Sequence, residues 1–304
     1  MSSAPAVFAP GLRIAPGYEI IAHLSRGGAL DVYDVWSEER QSRCIAKTVR
    51  PDRWGDAAVR CGLEAEGRLL RRLTHPHIVR AYERPRTTNP VVVMETLSGE
   101  TLAHLIAEGE GLSAAEIAHL GLHLCSAVQY LHRKQILHLD LKPSNIISEG
   151  VRAKLIDLSV ARRPGLAPPG VGTWCYMAPE QVWGGELGTP ADVWGVGVVL
   201  WEAVAGKAAF GDDVGDDEDS LASSSGDDLP PAEHPQVLRP AEPIERHRSL
   251  PTELASAIDS ALAPAPARRP SVATLADLLQ RVPDVASPRA AAPARQRTGI
   301  TAGE

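Results

Sequence analysis

The feature that most constrains this chain is a change of hydrophobic period at Ser98-Gly99-Glu100. Before it, apolar residues come in short runs, Tyr18–Leu24, Leu30–Trp36, Arg43–Val49 and Val91–Met94, as expected of β-strands. One basic amphipathic segment, about Ala57–Leu73, interrupts them. After it the repeat lengthens to that of a helix. Ser113-Ala114-Ala115-Glu116 is a capping box, in which hydroxyl and carboxylate satisfy free N–H groups at a helix start. Ile117, Leu120, Leu124, Val128 and Leu131 then share one face. Thr189-Pro190-Ala191-Asp192 opens a second helix with a capping residue and an early proline, and its body to about Ala205 is apolar nearly all round. Such a helix belongs in the middle of a lobe. Two more amphipathic helices are predicted near Pro251–Leu262 and Ser271–Arg281. The pattern predicts an α+β chain with a small β-rich lobe over 18–97 and a larger helical lobe over 98–282.

Composition narrows the function classes. At 304 residues and 44% hydrophobic, the chain can build a sizeable core and is not wholly disordered. No uncharged apolar stretch approaches the roughly 18–20 residues that span a bilayer; the best, Val193–Trp201, is closed by Glu202. Four cysteines without a CxxC pair suggest neither a disulfide frame nor a zinc site. Residues 1–17 lack the features of a signal peptide and are expected to be a disordered leader of a cytoplasmic protein. The tail 283–304 is expected to be disordered too. The net charge of −7 is concentrated: eight acids and no base lie between Gly211 and Asp228, so the remainder is nearly neutral, which argues against a nucleic-acid partner. The surrounding stretch 211–248 is expected to be a disordered acidic insert.

The most informative segment is His138-Leu139-Asp140-Leu141-Lys142-Pro143-Ser144-Asn145. It places a carboxylate, a lysine and an amide on one loop between a helix and a strand, and Asp157 follows a second apolar run, Ala153–Ile156. A carboxylate and an amide oxygen at strand ends suit Mg²⁺, which takes few protein oxygens and keeps phosphate as a ligand. His119 and His123 stand at zinc-binding spacing on one helix, but no third ligand is evident.

With these motifs the chain resembles the eukaryotic-like serine/threonine protein kinases of bacteria. The matches fall in family order: Cys44-Ile45-Ala46-Lys47, Glu66 on a helix, the His138–Asn145 loop, Asp157-Leu158-Ser159, Gly172-Thr173 with Met177-Ala178-Pro179-Glu180, Asp192–Gly197, and Arg268-Arg269-Pro270. The resemblance implies a two-lobed kinase fold, ATP and Mg²⁺ as cofactors, and protein substrates with Ser or Thr acceptors. It implies that Lys47, paired with Glu66, contacts phosphate, and that Asp140 orients and deprotonates the acceptor hydroxyl. Lys142 neutralises the transferring group, and Asn145 and Asp157 hold the metal. Glu64 is the weaker candidate partner of Lys47, because the spacing to His75-Pro76 fits Glu66 better. Cofactor binding falls to Leu24, Gly27, Gly28, Val32, Ile45, Lys47, Met94, Glu95, Leu97, Asn145, Ile147 and Asp157, with Glu95–Leu97 as the hinge. Glu180 is expected to pair with Arg269, and Asp192 to bond the backbone of the catalytic loop.

The chain also departs from the family. Ser25-Arg26-Gly27-Gly28-Ala29-Leu30 keeps only the middle glycine of the phosphate-covering loop, and Ile45 is bulkier than the usual residue, so weakened ATP affinity is expected. Leu139 replaces the arginine that receives an activating phosphate, and only Ser159 offers a hydroxyl between Asp157 and Gly172. Activity independent of activation-loop phosphorylation follows as an expectation. A nucleotide-binding pseudokinase or scaffold is the alternative.

Overall fold

The computed structural model describes residues 7–109, 111–211 and 230–283. Six strands form the small lobe's antiparallel sheet: β1 (Arg13–Ala15), β2 (Tyr18–Arg26), β3 (Leu30–Ser37), β4 (Ser42–Val49), β5 (Ala81–Glu83) and β6 (Val91–Glu95), in the order β1-β2-β3-β4-β6-β5. Val32 sits opposite Lys47, and Ile45 opposite Met94. Strand alternation therefore puts Val32, Ile45 and Lys47 on one face. The opposite face carries Tyr33, Val35, Cys44 and Ala46, all fully buried or nearly so.

That burial corrects the expected leader over 1–17. Residues from Phe8 onward lie on this outer face: Phe8, Ile14 and Ala15 join its apolar cluster, and β1 pairs with β2. Gly11 N–H donates to Ile20 O at 2.8 Å, and Phe8 N–H donates to the Tyr33 hydroxyl at 3.1 Å. An alanine- and proline-rich segment has little to bury by itself, but a sheet with two apolar faces needs a cover on each.

Helix α1 (Ala57–Leu70) covers the inner side, capped by Asp56, whose carboxylate accepts from Ala58 and Val59 N–H. Leu63, Glu66, Gly67 and Leu70 form its buried stripe. A Cβ at Gly67 would come within 2.6 Å of Val92, so glycine lets the helix lie against the sheet.

The large lobe follows as β7 (Glu100–Thr101), α2 (Leu102–Ala107), α3 (Ala114–Arg133), β8 (Ile146–Glu149), β9 (Arg152–Leu155), β10 (Gly165–Ala167), α4 (Pro179–Trp183), β11 (Gly185–Leu187), α5 (Thr189–Ala205), α6 (Pro235–Leu238), α7 (Thr252–Ala261) and α8 (Val272–Gln280). The Ser113–Glu116 capping box forms as expected. Helix α5 buries thirteen of its seventeen residues and runs through the lobe's middle, with Gly188 rather than Thr189 at its cap. His123 of α3 stacks on His77 with ring centroids 4.1 Å apart, and no metal-ligating trio among the described residues includes His119 or His123. Burial depresses His123 to about 4, with His77 and His119 adding to the effect. No helix among the described residues is long and apolar enough to cross a membrane.

A second correction concerns the insert over 211–248. Its later part, from residue 230, is ordered. Ile244 is fully buried, Trp201 Nε1 donates to Glu242 O at 2.9 Å, and Ile244 N–H donates to Asp259 at 3.0 Å. Prolines keep its helices to a turn or so, but its backbone satisfies polar groups of α5 and α7. The acidic run 212–228 and all but the first residue of the tail 283–304 lie outside the described residues.

Arg269 ties the lobe together. Its guanidinium pairs with both oxygens of Glu180 at 2.6 and 2.8 Å and donates to the Ala263, Pro190 and Pro264 carbonyls. Arg269→Ala strands Glu180 and three carbonyls, and should cost about 3–5 kcal/mol. Urea unfolding of the two proteins measures this; a loss near zero would contradict the anchoring role.

Candidate active site between the lobes

Lys47 stands on β4, Glu66 on α1 and Asp157 just past β9. Lys47 Nζ lies 2.9 and 3.0 Å from the two Glu66 oxygens and 2.6 Å from Asp157 Oδ2. Glu66 also accepts from Leu158 N–H at 3.3 Å, so a small-lobe helix is bonded to the large-lobe loop. The helical phase explains why Glu66 and not Glu64 is the partner. Glu66 shares the inner stripe with Leu63 and Leu70, whereas Glu64 faces outward to Arg68 and Arg84.

The site is charged and largely dry. Burial opposes charge on Lys47, but Asp157 and Glu66 outweigh it and hold the ammonium above the usual lysine range. Burial likewise opposes charge on Asp157, but Lys47 and the Ser159 N–H hold its carboxyl well below the usual range. Burial pushes the Glu66 carboxyl up, against the pull of Lys47.

The second half of the site is the loop after α3. Asp192 of α5 accepts from His138 N–H at 2.9 and 3.1 Å, from Leu139 N–H at 2.8 Å, and meets His132 Nε2 at 2.7 Å. Leu139 has φ +65°, a left-handed conformation that costs a non-glycine residue about 1–2 kcal/mol. Its neighbours hold it there, because Gln181 Nε2 donates to Leu139 O at 2.8 Å while Asp192 takes its N–H. The twist leads directly into Asp140. Asn145 Nδ2 donates to Asp140 O and Oδ2, both at 3.0 Å, which leaves the Asn145 amide oxygen for another partner.

Two residues were not assigned these roles from sequence. The Thr173 hydroxyl donates to Asp140 Oδ1 at 2.6 Å and accepts from Lys142 Nζ at 3.0 Å. Gln181 accepts from Ala178 N–H at 3.0 Å and donates to Val171 O at 2.6 Å, joining both ends of the loop to Leu139. Thr173 follows Gly172 in sequence, but its partner Asp140 lies 33 residues away. For Gln181 there was no local signal, since its partners lie far away in the chain.

The remaining residues that the resemblance assigns to cofactor binding differ in exposure and in partners. Val32, Ile45, Leu97 and Ile147 are half-buried and Met94 is buried. The Glu95 side chain accepts from Lys154 Nζ at 2.7 Å and from Arg80 N–H at 2.9 Å, which bonds the end of β6 to both lobes. Gly27 and Gly28 form the tip of the β2–β3 hairpin. Arg26 clamps its base to buried Asp31 at 2.8 and 2.9 Å, and Arg50 donates to the Gly27 carbonyl at 3.0 Å. Leu24 is exposed at the hairpin's entrance.

Comparison with known proteins agrees with this architecture. The protein kinase domain family matches residues 18–280, so the chain belongs to the protein kinase family. It is 31% identical to the serine/threonine-protein kinase PknD of Mycobacterium tuberculosis over 261 residues, covering 83% of this chain and 37% of that one. It is 30% identical to PknB of Mycolicibacterium smegmatis over 270 residues, covering 83% and 40%. The chain thus spans about two fifths of the length of these curated relatives. The crystal structure of the Mycobacterium tuberculosis PknI kinase domain superimposes with a TM-score of 0.67 at 22% identity, covering 90% of this chain and 99% of that one. The fold is the two-lobed α+β kinase fold.

The ion triad predicts a pH signature. Asp157 has a lowered folded pKa, so its stabilisation is complete above about pH 5 and is lost as pH falls toward the depressed value. Lys47→Met reverses the sign, because buried carboxylates without a cation titrate above their usual range. The stability gap between wild type and Lys47→Met, about 3–5 kcal/mol at pH 7.5, should narrow at pH 5 in urea titrations. A gap independent of pH would contradict the assignment.

Proposed function

We propose that this chain is an ATP-dependent protein kinase that phosphorylates Ser and Thr hydroxyls of protein substrates without needing phosphate on its own activation segment. The observation that carries the reading is the pairing of Lys47 with Glu66 and Asp157 and of Asp140 with Asn145 and Lys142, two groups tied together where Ile156 N–H, next to Asp157, donates to Asn145 O at 3.0 Å. ATP and Mg²⁺, when bound, supply the phosphoryl donor and neutralise its charge. The donor set fits them: Asp157 offers carboxylate oxygens and Asn145 its uncommitted amide oxygen, the hard ligands that Mg²⁺ takes. Phosphoryl transfer asks a protein mainly for positioning and electrostatics. Lys47, held charged by two acids, places a fixed cation where phosphates would lie. Asp140 already receives one aliphatic hydroxyl, from Thr173, and an acceptor hydroxyl beside it would be aligned and would give its proton to the same carboxylate. Lys142 stands 3.7 Å from Asp140, within reach of the developing charge.

Phosphate independence is supported by what holds the segment from Asp157 to Ala178. Leu139, where a phosphate-receiving arginine would stand, is 4% exposed and packed in the core. Main-chain bonds supply order instead. Strand β10 pairs with β11, Leu137 and Arg162 exchange backbone bonds, and Gly170 N–H donates to Gln181 O at 2.9 Å. The clamped hairpin of Arg26 and Asp31, with Leu30 in place of a glycine, supports weaker nucleotide affinity, because a stiffer turn adapts less to phosphate. The complete set of charged residues favours turnover over a nucleotide-holding role.

Labelled phosphate transfer from Mg·ATP to a generic basic protein tests the reading. Asp140→Asn and Lys47→Met should each lose about 100-fold or more, and the label should reside on Ser and Thr. Equal signal from all three proteins would reject the catalytic assignment. Phosphatase pretreatment should leave the wild-type rate unchanged; a rate abolished by it and restored by phosphorylation of Ser159 or Thr173 would reject phosphate independence.

A further inference from the structure

A groove of about 1380 Å³ lies on the small lobe where the N-terminal segment, helix α1 and the loop between β5 and β6 meet. None of the residues assigned to the active site lines it. Its charge is one-sided: Arg13, Arg71, Arg84 and Arg86 line it against a single carboxylate, Glu64. Glu64 is already shared between Arg84 at 3.6 Å and Arg68 at 3.3 Å, and Arg13 pairs with exposed Glu38 at 2.5 Å. Arg71 and Arg86 are exposed and make no salt bridge among the described residues. Apolar surface is presented beside these cations. Leu12 is 52% exposed and Trp54 38% exposed, and Ile14 and Pro85 continue the wall.

We infer that this groove is a docking site for an acidic peptide segment that also carries large apolar side chains. Size is the first argument. The volume exceeds the roughly 300–1,000 Å³ of small-molecule cavities and suits a stretch of chain. Charge is the second. Two guanidiniums without a salt bridge among the described residues, Arg71 with only the longer-range attraction of Glu83, stand next to a partly neutralised pair and leave a surplus of positive charge, and arginine forks match carboxylates two bonds at a time. The third is the apolar wall, since a purely ionic ligand would leave Leu12 and Trp54 uncovered. A nucleic acid fits less well. The Trp54 ring packs against Phe8 with centroids 6.0 Å apart and its Nε1 donates to Val49 O, so it is no free stacking platform, and Glu64 faces any phosphate.

Fluorescence anisotropy with the full chain and a labelled synthetic peptide of glutamates and leucines tests the inference without nucleotide or turnover, so its outcome is separate from that of the kinase reading. Saturable binding is expected, weakened about tenfold or more by the double variant Arg71→Glu/Arg86→Glu, which removes two exposed ion pairs and adds two repulsions. Both positions are exposed, and unchanged melting of the double variant would confirm its fold. Leu12→Ala should weaken binding a few-fold, and replacing leucine by serine in the peptide should do the same. Absence of saturable binding, equal binding by the double variant, equal binding of a lysine–leucine peptide, or displacement by single-stranded DNA at the same concentrations would each overturn the proposal.

Discussion

One buried cation holds the two lobes in register. Lys47 comes from the sheet, Glu66 from the helix packed on that sheet, and Asp157 from the large lobe. The cation is the member that cannot be spared: removing Lys47 leaves two buried carboxylates with nothing to offset their desolvation, whereas removing one acid leaves a balanced pair. The pairing therefore explains features elsewhere. Gly67 allows α1 to lie close enough to the sheet for Glu66 to reach, and Asp56 starts the helix at the phase that aims Glu66 inward.

The large lobe meets a different constraint. Asp140 must stand at the end of a twisted loop, and the twist falls on Leu139, a residue with a side chain in a conformation that favours glycine. The lobe sustains that strain by fixing both sides of the residue, with Asp192 from the central helix on its N–H and Gln181 on its carbonyl. Leu139 adds apolar contact where an arginine would bring a charge. Leu139 is thereby part of the core beneath Asp140.

Much of this was legible in the sequence, for physical reasons. The change of period at Ser98-Gly99-Glu100 separated the lobes, and the capping box marked the start of α3 to the residue. Asp140, Asn145 and Asp157 stood out as oxygen ligands at strand ends, while Lys47 and Glu66 were legible only through the family resemblance; in the structure Lys47 meets Glu66 and Asp157, and Asn145 meets Asp140. What was not legible depends on distant partners. Strand β1 has three residues and no periodicity, and is ordered only because Tyr33 and Val35 need cover. The segment from 230 to 248 reads as polar linker, yet Gln236 donates to Trp174 O and Ile244 fills the core. The contact of Thr173 with Asp140 spans 33 residues, so no local pattern announces it.

Titration calorimetry of Mg·ATP into the wild-type chain and into Lys47→Met addresses the central claim most directly. The account predicts saturable heat with the wild type, and heat lost or displaced to much higher nucleotide concentration in the variant, whose fold is checked by melting. Millimolar nucleotide and metal that give no heat with the wild type, or identical isotherms for the two proteins, would contradict it.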